Sequence, residues 1–371
     1  MIYLDNAATT KPKREVVEAI NYALCEQWGN PSSLYKFGQS ARAIVDEARK
    51  TVADFIGAKP SEIIFTSGAC ESNSMAILGL FLKDHTNELI TSPVEHKSIH
   101  NLQKAWGNYN SISVNNDGYI SFTELERSLK LLNKRLKTPI VSVQYANSEI
   151  GTIQDVKEIS RIVHMYGGIF HTDATQMIAN RPINVRDLGI DMMSFSGQKI
   201  GAPKGIGVLY VKDGIELEPI IYGSQENGRR GGTENVPYIA GLMAAIKNIE
   251  YPGSGMRDYF LEKLKESVDD FYVVGSMEHR LDNNLAVCFR GIEAESLLLL
   301  LDSSDIYVSA GSACTSGEKS YVLESIGLPI EDQSSVVRFT FGVDTTKEEI
   351  DGAIGIIADA VELLRSLNLD L

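Results

Sequence analysis

Residues 168–200 read GIFHTDATQMIANRPINVRDLGIDMMSFSGQKI, and this stretch decides the fold. It contains two short apolar runs, 168–172 and 192–195, each with the length and composition of a buried strand. The first run ends at Asp173, and the second is followed by a turn of small residues and then by Lys199. A buried carboxylate or amine is costly unless it is paired or bound to a ligand. These two residues are therefore either members of a structural ion pair or part of a functional site.

The segments around this stretch alternate in the same way. From Lys11 to about residue 250, short apolar runs alternate with helical periodicity, which predicts an α/β domain with a mostly parallel, seven-stranded sheet. The predicted strands are 62–66, 88–91, 112–114, 139–145, 168–172, 192–195 and 207–211. The predicted helices are 14–26, 39–55, 72–82, 98–105, 123–131, 156–165 and 238–249.

The order of elements changes after the turn-forming segment 251–255. Helices and strands then follow in a mixed order that is typical of a smaller α+β domain. Its predicted strands are 272–274, 284–289, 307–309 and 336–341, and its main helices are 256–268, 293–301 and 346–367. We therefore expect a large domain of residues 12–252 and a small domain made of residues 1–11 and 253–371.

The composition is that of an ordinary globular protein, with 371 residues, 43% hydrophobic and 23% charged. No run approaches the roughly 20 apolar residues that span a bilayer. The start MIYLDNAATT lacks the basic and apolar segments of a secretory signal, so we expect a cytoplasmic protein without membrane contact. Cys25, Cys70, Cys288 and Cys314 show neither metal-ligand nor disulfide spacing. We expect Cys288 in a core strand and Cys25 in helix packing.

The charge balance is acidic, with 35 Lys and Arg against 49 Asp and Glu and a formal net charge of −14. Direct binding to nucleic acid is not expected, because such affinity comes mainly from neutralising phosphates with basic residues. An acidic surface either attracts a basic protein partner or simply keeps the protein in solution.

Other polar segments follow the predicted strands, at the edge where open parallel sheets bind ligands. The segment 66–73 reads TSGACESN, and its glycine and small hydroxyls suit a phosphate site, although they are also ordinary helix-capping residues. His96 follows another strand, where it is either a solvent-exposed loop residue or a group that stacks on a cofactor and moves protons. Together with Asp173 and Lys199 these residues suit a pyridoxal phosphate site. In such a site the lysine forms an imine with the cofactor aldehyde, and the carboxylate keeps the ring nitrogen protonated.

Two features of the C-terminal part also suggest chemistry. Residues 309–317 read SAGSACTSG, a run of small residues around Cys314 that cannot pack a core and is typical of a loop with an accessible thiol. An incidental free cysteine in a turn is the alternative. Arg338 interrupts the apolar run 336–341, where it should face a carboxylate of the protein or of a substrate.

Ten motifs in order resemble the NifS/IscS-like cysteine desulfurases over nearly the whole chain. They are 3–10 (YLDNAATT), 29–32 (GNPS), 66–73, 95–96 (EH), 147–151 (NSEIG), 173–176 (DATQ), Lys199 with 203–207 (PKGIG), 230–235 (RGGTEN), the Cys314 segment and Arg338. The resemblance implies a pyridoxal-phosphate enzyme of the class V aminotransferase type, with the aspartate aminotransferase-like fold (fold type I), that forms a homodimer. It also implies conversion of L-cysteine to L-alanine, with the sulfur left as a persulfide on the enzyme for delivery to an acceptor protein.

The resemblance assigns roles to the strand-end residues by position. Lys199 looks like the Schiff-base lysine, and His96 like the ring-stacking histidine that assists proton transfers. Asp173 and Gln176 would contact the pyridine nitrogen and the phenolic oxygen. The remaining cofactor-binding positions that it implies are Ala69, Cys70, Ser148, Ser196, Gln198 and, reaching across from the other protomer, Thr233.

The same resemblance places the substrate. Arg338 and Asn147 would hold the carboxylate of L-cysteine, and Cys314 would be the nucleophile that takes its sulfur. The sequence around Cys314 is similar to the branch of the family that has a longer, flexible cysteine loop.

The chain departs from the family pattern at several positions. Gln198 stands where the family usually has His, Cys70 where it has Thr, Ser148 where it has Asn, and Tyr35 where it has His; the segment from Cys314 to Tyr321 is about two residues shorter than the family pattern. A neutral glutamine and a thiol are weaker phosphate partners, which predicts weaker cofactor retention than is usual in the family.

These departures favour a specialised branch, such as the desulfurases that supply sulfur for DNA phosphorothioation, over general iron–sulfur cluster assembly. The alternatives are a selenocysteine lyase, an aminotransferase-like enzyme on the same fold, or a non-catalytic binding module of a sulfur pathway. Cys314 argues against transamination, since that reaction needs no thiol.

Overall fold

The computed structural model describes residues 1–106, 109–135, 137–310 and 320–368. Cys314, the predicted sulfur carrier, lies outside these ranges.

Helices and strands follow the alternation expected from the sequence. The strands are β1 (Ile2–Tyr3), β2 (Ile63–Thr66), β3 (Glu88–Thr91), β4 (Tyr109–Ser111), β5 (Pro139–Ser142), β6 (Ile169–Asp173), β7 (Met192–Ser196), β8 (Gly207–Val211), β9 (Phe271–Val273), β10 (Asn284–Phe289), β11 (Ile306–Tyr307), β12 (Ser309–Ala310) and β13 (Val336–Thr340). The helices are α1 (Arg14–Glu26), α2 (Lys36–Ile56), α3 (Ala69–Lys83), α4 (Lys97–Trp106), α5 (Phe122–Lys134), α6 (Val156–Met165), α7 (Val236–Lys247), α8 (Gly255–Ser267), α9 (Ala294–Asp302), α10 (Tyr321–Ser325) and α11 (Lys347–Asn368).

The central sheet has seven strands in the order β2-β8-β7-β6-β5-β3-β4. Six of these strands run in one direction and β8 runs in the opposite direction. The predicted mostly parallel, seven-stranded sheet is therefore confirmed. The antiparallel strand begins at Gly207, where a Cβ atom would lie 2.5 Å from Gly68 Cα. A residue without a side chain is needed there, because it lets the segment after β2 come close to the sheet.

A second sheet belongs to the C-terminal part of the chain. Its order is β12-β13-β10-β9, all antiparallel, and α8, α9 and α11 pack with it around one apolar core. The N-terminal strand β1 pairs with β11, and Leu4 is buried in the same core. This arrangement supports the division that we propose, in which residues 1–11 accompany 253–371 and residues 12–252 form the large domain.

A few sequence predictions are wrong in detail. The strand predicted at 112–114 lies at 109–111, because its only neighbour in the sheet, β3, ends at Thr91 opposite Ser111. The strand predicted at 307–309 is two strands, since the chain leaves β1 after Tyr307 and joins β13 at Ser309. Cys25 is exposed on α1 rather than packed, whereas Cys288 lies in the core as expected.

None of the helices in the described ranges combines the length and the apolar character needed to cross a membrane.

Candidate active site

The carboxyl ends of five strands meet at one edge of the central sheet. β3, β5, β6 and β7 are mutually parallel, and β2 runs with them because both β2 and β7 are antiparallel to β8. The predicted site residues follow these strand ends, so the topology brings most of them to the same edge.

Asp173 is the last residue of β6 and is buried. Its two carboxylate oxygens accept from the Thr175 main-chain N–H at 2.9 Å and from Asn73 Nδ2 at 2.7 Å. Below it in the strand, burial lowers the pKa of His171 to about 4, although the nearby Asp173 acts in the opposite direction. His171 is therefore a neutral core residue, and Asp173 is the ionisable group that this strand offers to the site.

Lys199 and Gln176 converge on the N-terminal segment. Lys199 Nζ donates to the main-chain carbonyls of Ala7 and Ala8 at 2.6 and 2.7 Å. Gln176 Nε2 donates to the same Ala7 carbonyl at 3.2 Å. Register in the sheet places Asp173 opposite Ser194, five residues before Lys199, so carboxylate, amide and amine come from adjacent strand ends.

The predicted phosphate-binding residues form a cradle between β2 and β7. The helix α3 begins at Ala69, three residues earlier than expected from the sequence, with Gly68 directly before it. A Cβ atom on Gly68 would lie 3.8 Å from Ser196 Oγ, so the end of β7 faces the start of this helix. Gln198 accepts a weak hydrogen bond from Ser196 Oγ at 3.4 Å. Main-chain N–H groups at a helix start and a serine hydroxyl are suitable partners for an anion. Cys70, in the second position of the helix, is exposed.

Arg338 is a buried cation on β13. Its Nη2 donates to Asp5 Oδ1 at 2.7 Å and its Nη1 to the Ser148 carbonyl at 2.9 Å. Its Nε is buried and has no hydrogen-bond partner in the described part of the chain. An arginine with an unused buried N–H group can donate a hydrogen bond to a further carboxylate.

Asn147 holds the neighbouring loops together. Its Oδ1 accepts from the N–H groups of Glu149 and Ile150, and its Nδ2 donates to the Val94 carbonyl at 3.0 Å. The amide retains one further N–H, so the predicted contact of Asn147 with a substrate carboxylate stays a prediction.

His96 is exposed in the loop after β3, and its Nδ1 lies 2.8 Å from Ser98 Oγ. Thr233 is also exposed, on a loop fixed to α3 by the ion pair between Arg230 and Glu71 at 2.7 Å. The predicted contact of Thr233 with the phosphate cradle of a second protomer stays a prediction.

Two buried carboxyl groups near the site were given no role by the sequence. Burial raises the pKa of Glu95 to about 8, and it accepts from Ser92 Oγ at 2.5 Å and from the Gln144 N–H at 2.9 Å. Burial likewise raises the pKa of Glu149 to about 7. Both residues stand inside the matched motifs, which was the signal available in the sequence, but Gln144 and Ser320, which bind Glu95 and Glu149, are 49 and 171 residues away from them.

The segment that contains Cys314 is attached on both sides to the surroundings of Arg338. Before it, Ser309 pairs directly with Arg338 in the β12–β13 ladder. After it, Ser320 Oγ donates to Glu149 Oε2 at 2.5 Å, next to the Ser148 carbonyl that Arg338 contacts. Cys314 is four residues from Ala310 and six from Ser320.

Comparison with known proteins identifies a family and several similar proteins and structures. Residues 2–352 match the aminotransferase class-V family. The chain is 41% identical to the "Cysteine desulfurase IscS" of Dictyoglomus turgidum over 99% of its own length and 96% of that protein. Among solved structures it is similar to a "NIFS-LIKE PROTEIN", with a TM-score of 0.89 and 31% identity over 98% of this chain and 100% of that one. It is also similar to "SspA in complex with cysteine", with a TM-score of 0.83 and 33% identity over 92% of this chain and 99% of that one.

Proposed function

The chain belongs to the class-V aminotransferase family and is a homologue of the cysteine desulfurases, and we propose that it converts L-cysteine to L-alanine and takes the sulfur onto Cys314. The family and enzyme class predicted from the sequence motifs are thereby confirmed. The observation that carries the proposal is the attachment of the Cys314 segment on both sides to the surroundings of Arg338, through Ser309 and Ser320.

The described residues fit pyridoxal 5'-phosphate. Asp173 offers a buried carboxylate whose oxygens each retain a lone pair, and the cradle of Gly68, Ala69 and Ser196 offers anion donors. Lys199 would hold the cofactor covalently, with Gln176 beside it. When bound, this cofactor supplies an electron sink for the negative charge that forms on the substrate carbon.

The protein's own groups then have separate tasks. Arg338 binds the substrate carboxylate, since it is buried, carries a permanent charge and keeps Nε unused. Lys199 Nζ takes up and returns a proton, as a primary amine can, while the carbonyls of Ala7 and Ala8 accept hydrogen bonds from it and orient it.

The sulfur step needs Cys314 as a thiolate. Its Sγ attacks the sulfur of L-cysteine, forming a sulfur–sulfur bond as the carbon–sulfur bond breaks. The electron pair of the broken bond stays with the β-carbon of the substrate. This carbon takes up a proton, which gives L-alanine. One cysteine and one thiol give one alanine and one persulfide, so no external oxidant or reductant is required.

A homodimer completes the proposed site. Ser32 and Ser224 line the same small cavity, and the segments around them carry exposed large apolar side chains, namely Trp28, Leu34, Tyr35 and Tyr222. Such a concentration of exposed apolar surface supports association with a second copy. Thr233 lies on the loop that follows Tyr222, from which it would reach the partner's phosphate cradle.

A single-turnover experiment tests the function. The purified protein is treated with L-cysteine, alanine is measured, and the peptide containing Cys314 is examined by mass spectrometry for the gain of one sulfur atom. Cys314→Ser should abolish the gain, whereas Cys25→Ser, which changes an exposed thiol on α1, should have no effect. Sulfur release that survives intact in Cys314→Ser would overturn the persulfide mechanism.

Two further observations separate the alternatives. A non-catalytic module would lack the visible absorption of a lysine-bound pyridoxal group, which should be present here and lost in Lys199→Ala. An aminotransferase would form a keto acid rather than alanine. Pull-down of the sulfur acceptor would then identify the pathway, for which we propose a specialised cytoplasmic branch such as DNA phosphorothioation.

A further inference from the structure

Asn73 is a fully buried polar side chain that the reaction described above does not use. It lies near the start of α3, and its Nδ2 donates to Asp173 Oδ2 at 2.7 Å and to Ser98 Oγ at 2.9 Å. An ionised carboxylate only accepts hydrogen bonds, so the nitrogen of the amide, not its oxygen, must face Asp173. Both N–H groups of Asn73 are therefore used, and the orientation of its amide is fixed.

The hydrogen bond from Asn73 to Ser98 in turn determines how Ser98 bonds to His96. Since Ser98 Oγ accepts from Asn73, its own proton is available to His96 Nδ1, which is 2.8 Å away. The main-chain N–H of Ser98 donates to the same ring nitrogen at 3.1 Å. A ring nitrogen that accepts hydrogen bonds carries no proton, so the neutral imidazole holds its proton on Nε2.

We propose that Asn73 and Ser98 are positioning residues of the desulfurase reaction, which hold His96 in its Nε2–H form and tie its orientation to that of Asp173. The inference rests on the proposed function and on the role that the family resemblance gives to His96, which is to assist proton transfers. A ring held in one tautomer presents one defined proton and needs no reorganisation before it acts. His96 is then a donor at Nε2, and removal of the substrate proton is the task of Lys199.

The test is the nitrogen-15 NMR spectrum of the protein as purified with its cofactor, labelled at its histidines. His96 is assigned by the loss of its signals in His96→Gln. The expected result is an unprotonated Nδ1 and a protonated Nε2. In Ser98→Ala, which removes the hydroxyl but keeps the main-chain N–H, the Nδ1–H form should become detectable. The kcat should also fall roughly tenfold with little change in KM, because positioning but not binding is lost.

Further variants complete the test. Ser98→Thr retains the hydroxyl and should restore the single tautomer, and Asn73→Leu should give the same change as Ser98→Ala. Ser128→Ala is the matched control, since it removes the same kind of bond, Asn110 Nδ2 to Ser128 Oγ at 2.8 Å, on α5. It should change neither tautomer nor kcat.

The proposal is overturned if wild-type His96 is protonated on Nδ1, or if Ser98→Ala leaves both tautomer and kcat unchanged. The expected tautomer shift in a protein that forms no alanine from cysteine would support the positioning of His96 and overturn only the proposed function.

Discussion

Replacing Asp5 by Asn tests whether the N-terminal segment competes with the substrate for Arg338. The side chain of Arg338 is 7% exposed and that of Asp5 is 19% exposed, and Arg338 Nη2 lies 2.7 Å from Asp5 Oδ1. Their charges are about 4 Å apart, which corresponds to roughly 4 kcal/mol at an effective dielectric constant near 20. Asparagine keeps an oxygen that can accept from Nη2 but removes the charge. The free energy of unfolding of the substrate-free protein should therefore fall by about 2–3 kcal/mol.

The same substitution should strengthen substrate binding. A second carboxylate on Arg338 would lie about 5 Å from Asp5, where the repulsion of two negative charges is roughly 3 kcal/mol under the same dielectric conditions. Solvent and small movements reduce this value, so we expect a KM for L-cysteine that is about tenfold lower in Asp5→Asn. L-alanine, the product, should also raise the melting temperature of the variant more than that of the wild type.

The matched control is Asp282→Asn. Asp282 binds Arg181 through two hydrogen bonds of 2.8 and 3.0 Å, and it pairs with Arg181, not with Arg338; the Arg181 side chain is half-exposed. Asp282→Asn should lower the free energy of unfolding by no more than about 1 kcal/mol and leave the KM for L-cysteine unchanged. A KM that rises in Asp5→Asn would refute the reasoning, because Asp5 would then orient Arg338 rather than compete for it.

Two other predictions concern pH and the cofactor. The pKa of Glu95 is raised by burial from 4.5 to about 8, so between these values the folded protein holds a proton that the unfolded chain has released, and stability falls as pH rises through this range. Glu95→Gln should flatten this fall in urea unfolding measured at about pH 5 and about pH 8.5, and an unchanged slope would contradict it. Gln198→Ala should weaken and Gln198→His strengthen retention of pyridoxal phosphate in a titration of the dialysed protein, because histidine can add a charged donor; tighter binding by Gln198→Ala would exclude a role for this glutamine.

The parts of the site that follow single strands could be predicted from the sequence. Asp173 and Lys199 each come after an apolar run that is long enough for a buried strand, and the parallel topology then requires them to lie at one edge. Strand ends were predicted less well where they depend on the length of the neighbouring strand. An example is β4, which can pair only as far as β3 extends.

Contacts between distant residues could not be predicted in this way. Asn73 meets Asp173 across 100 residues, Glu149 meets Ser320 across 171, and Arg338 meets Asp5 across 333. Each residue stands in or beside a motif that marked the position as important, but local pattern carries no information about the partner. The roles of these side chains depend on the packing of α3, β13 and the N-terminal segment against one sheet edge.

The N-terminal segment connects the two halves of the proposed chemistry. Asp5 pairs with Arg338, the residue that we propose binds the substrate carboxylate, whereas the carbonyls of Ala7 and Ala8 hold Lys199. The intervening main chain is fixed at both ends, because Ala7 N–H donates to Thr340 Oγ1 and Thr10 N–H to the Gln198 carbonyl. A substrate carboxylate that binds Arg338 beside Asp5 would therefore lie next to a segment whose Ala7 carbonyl, two residues after Asp5, holds the lysine amine.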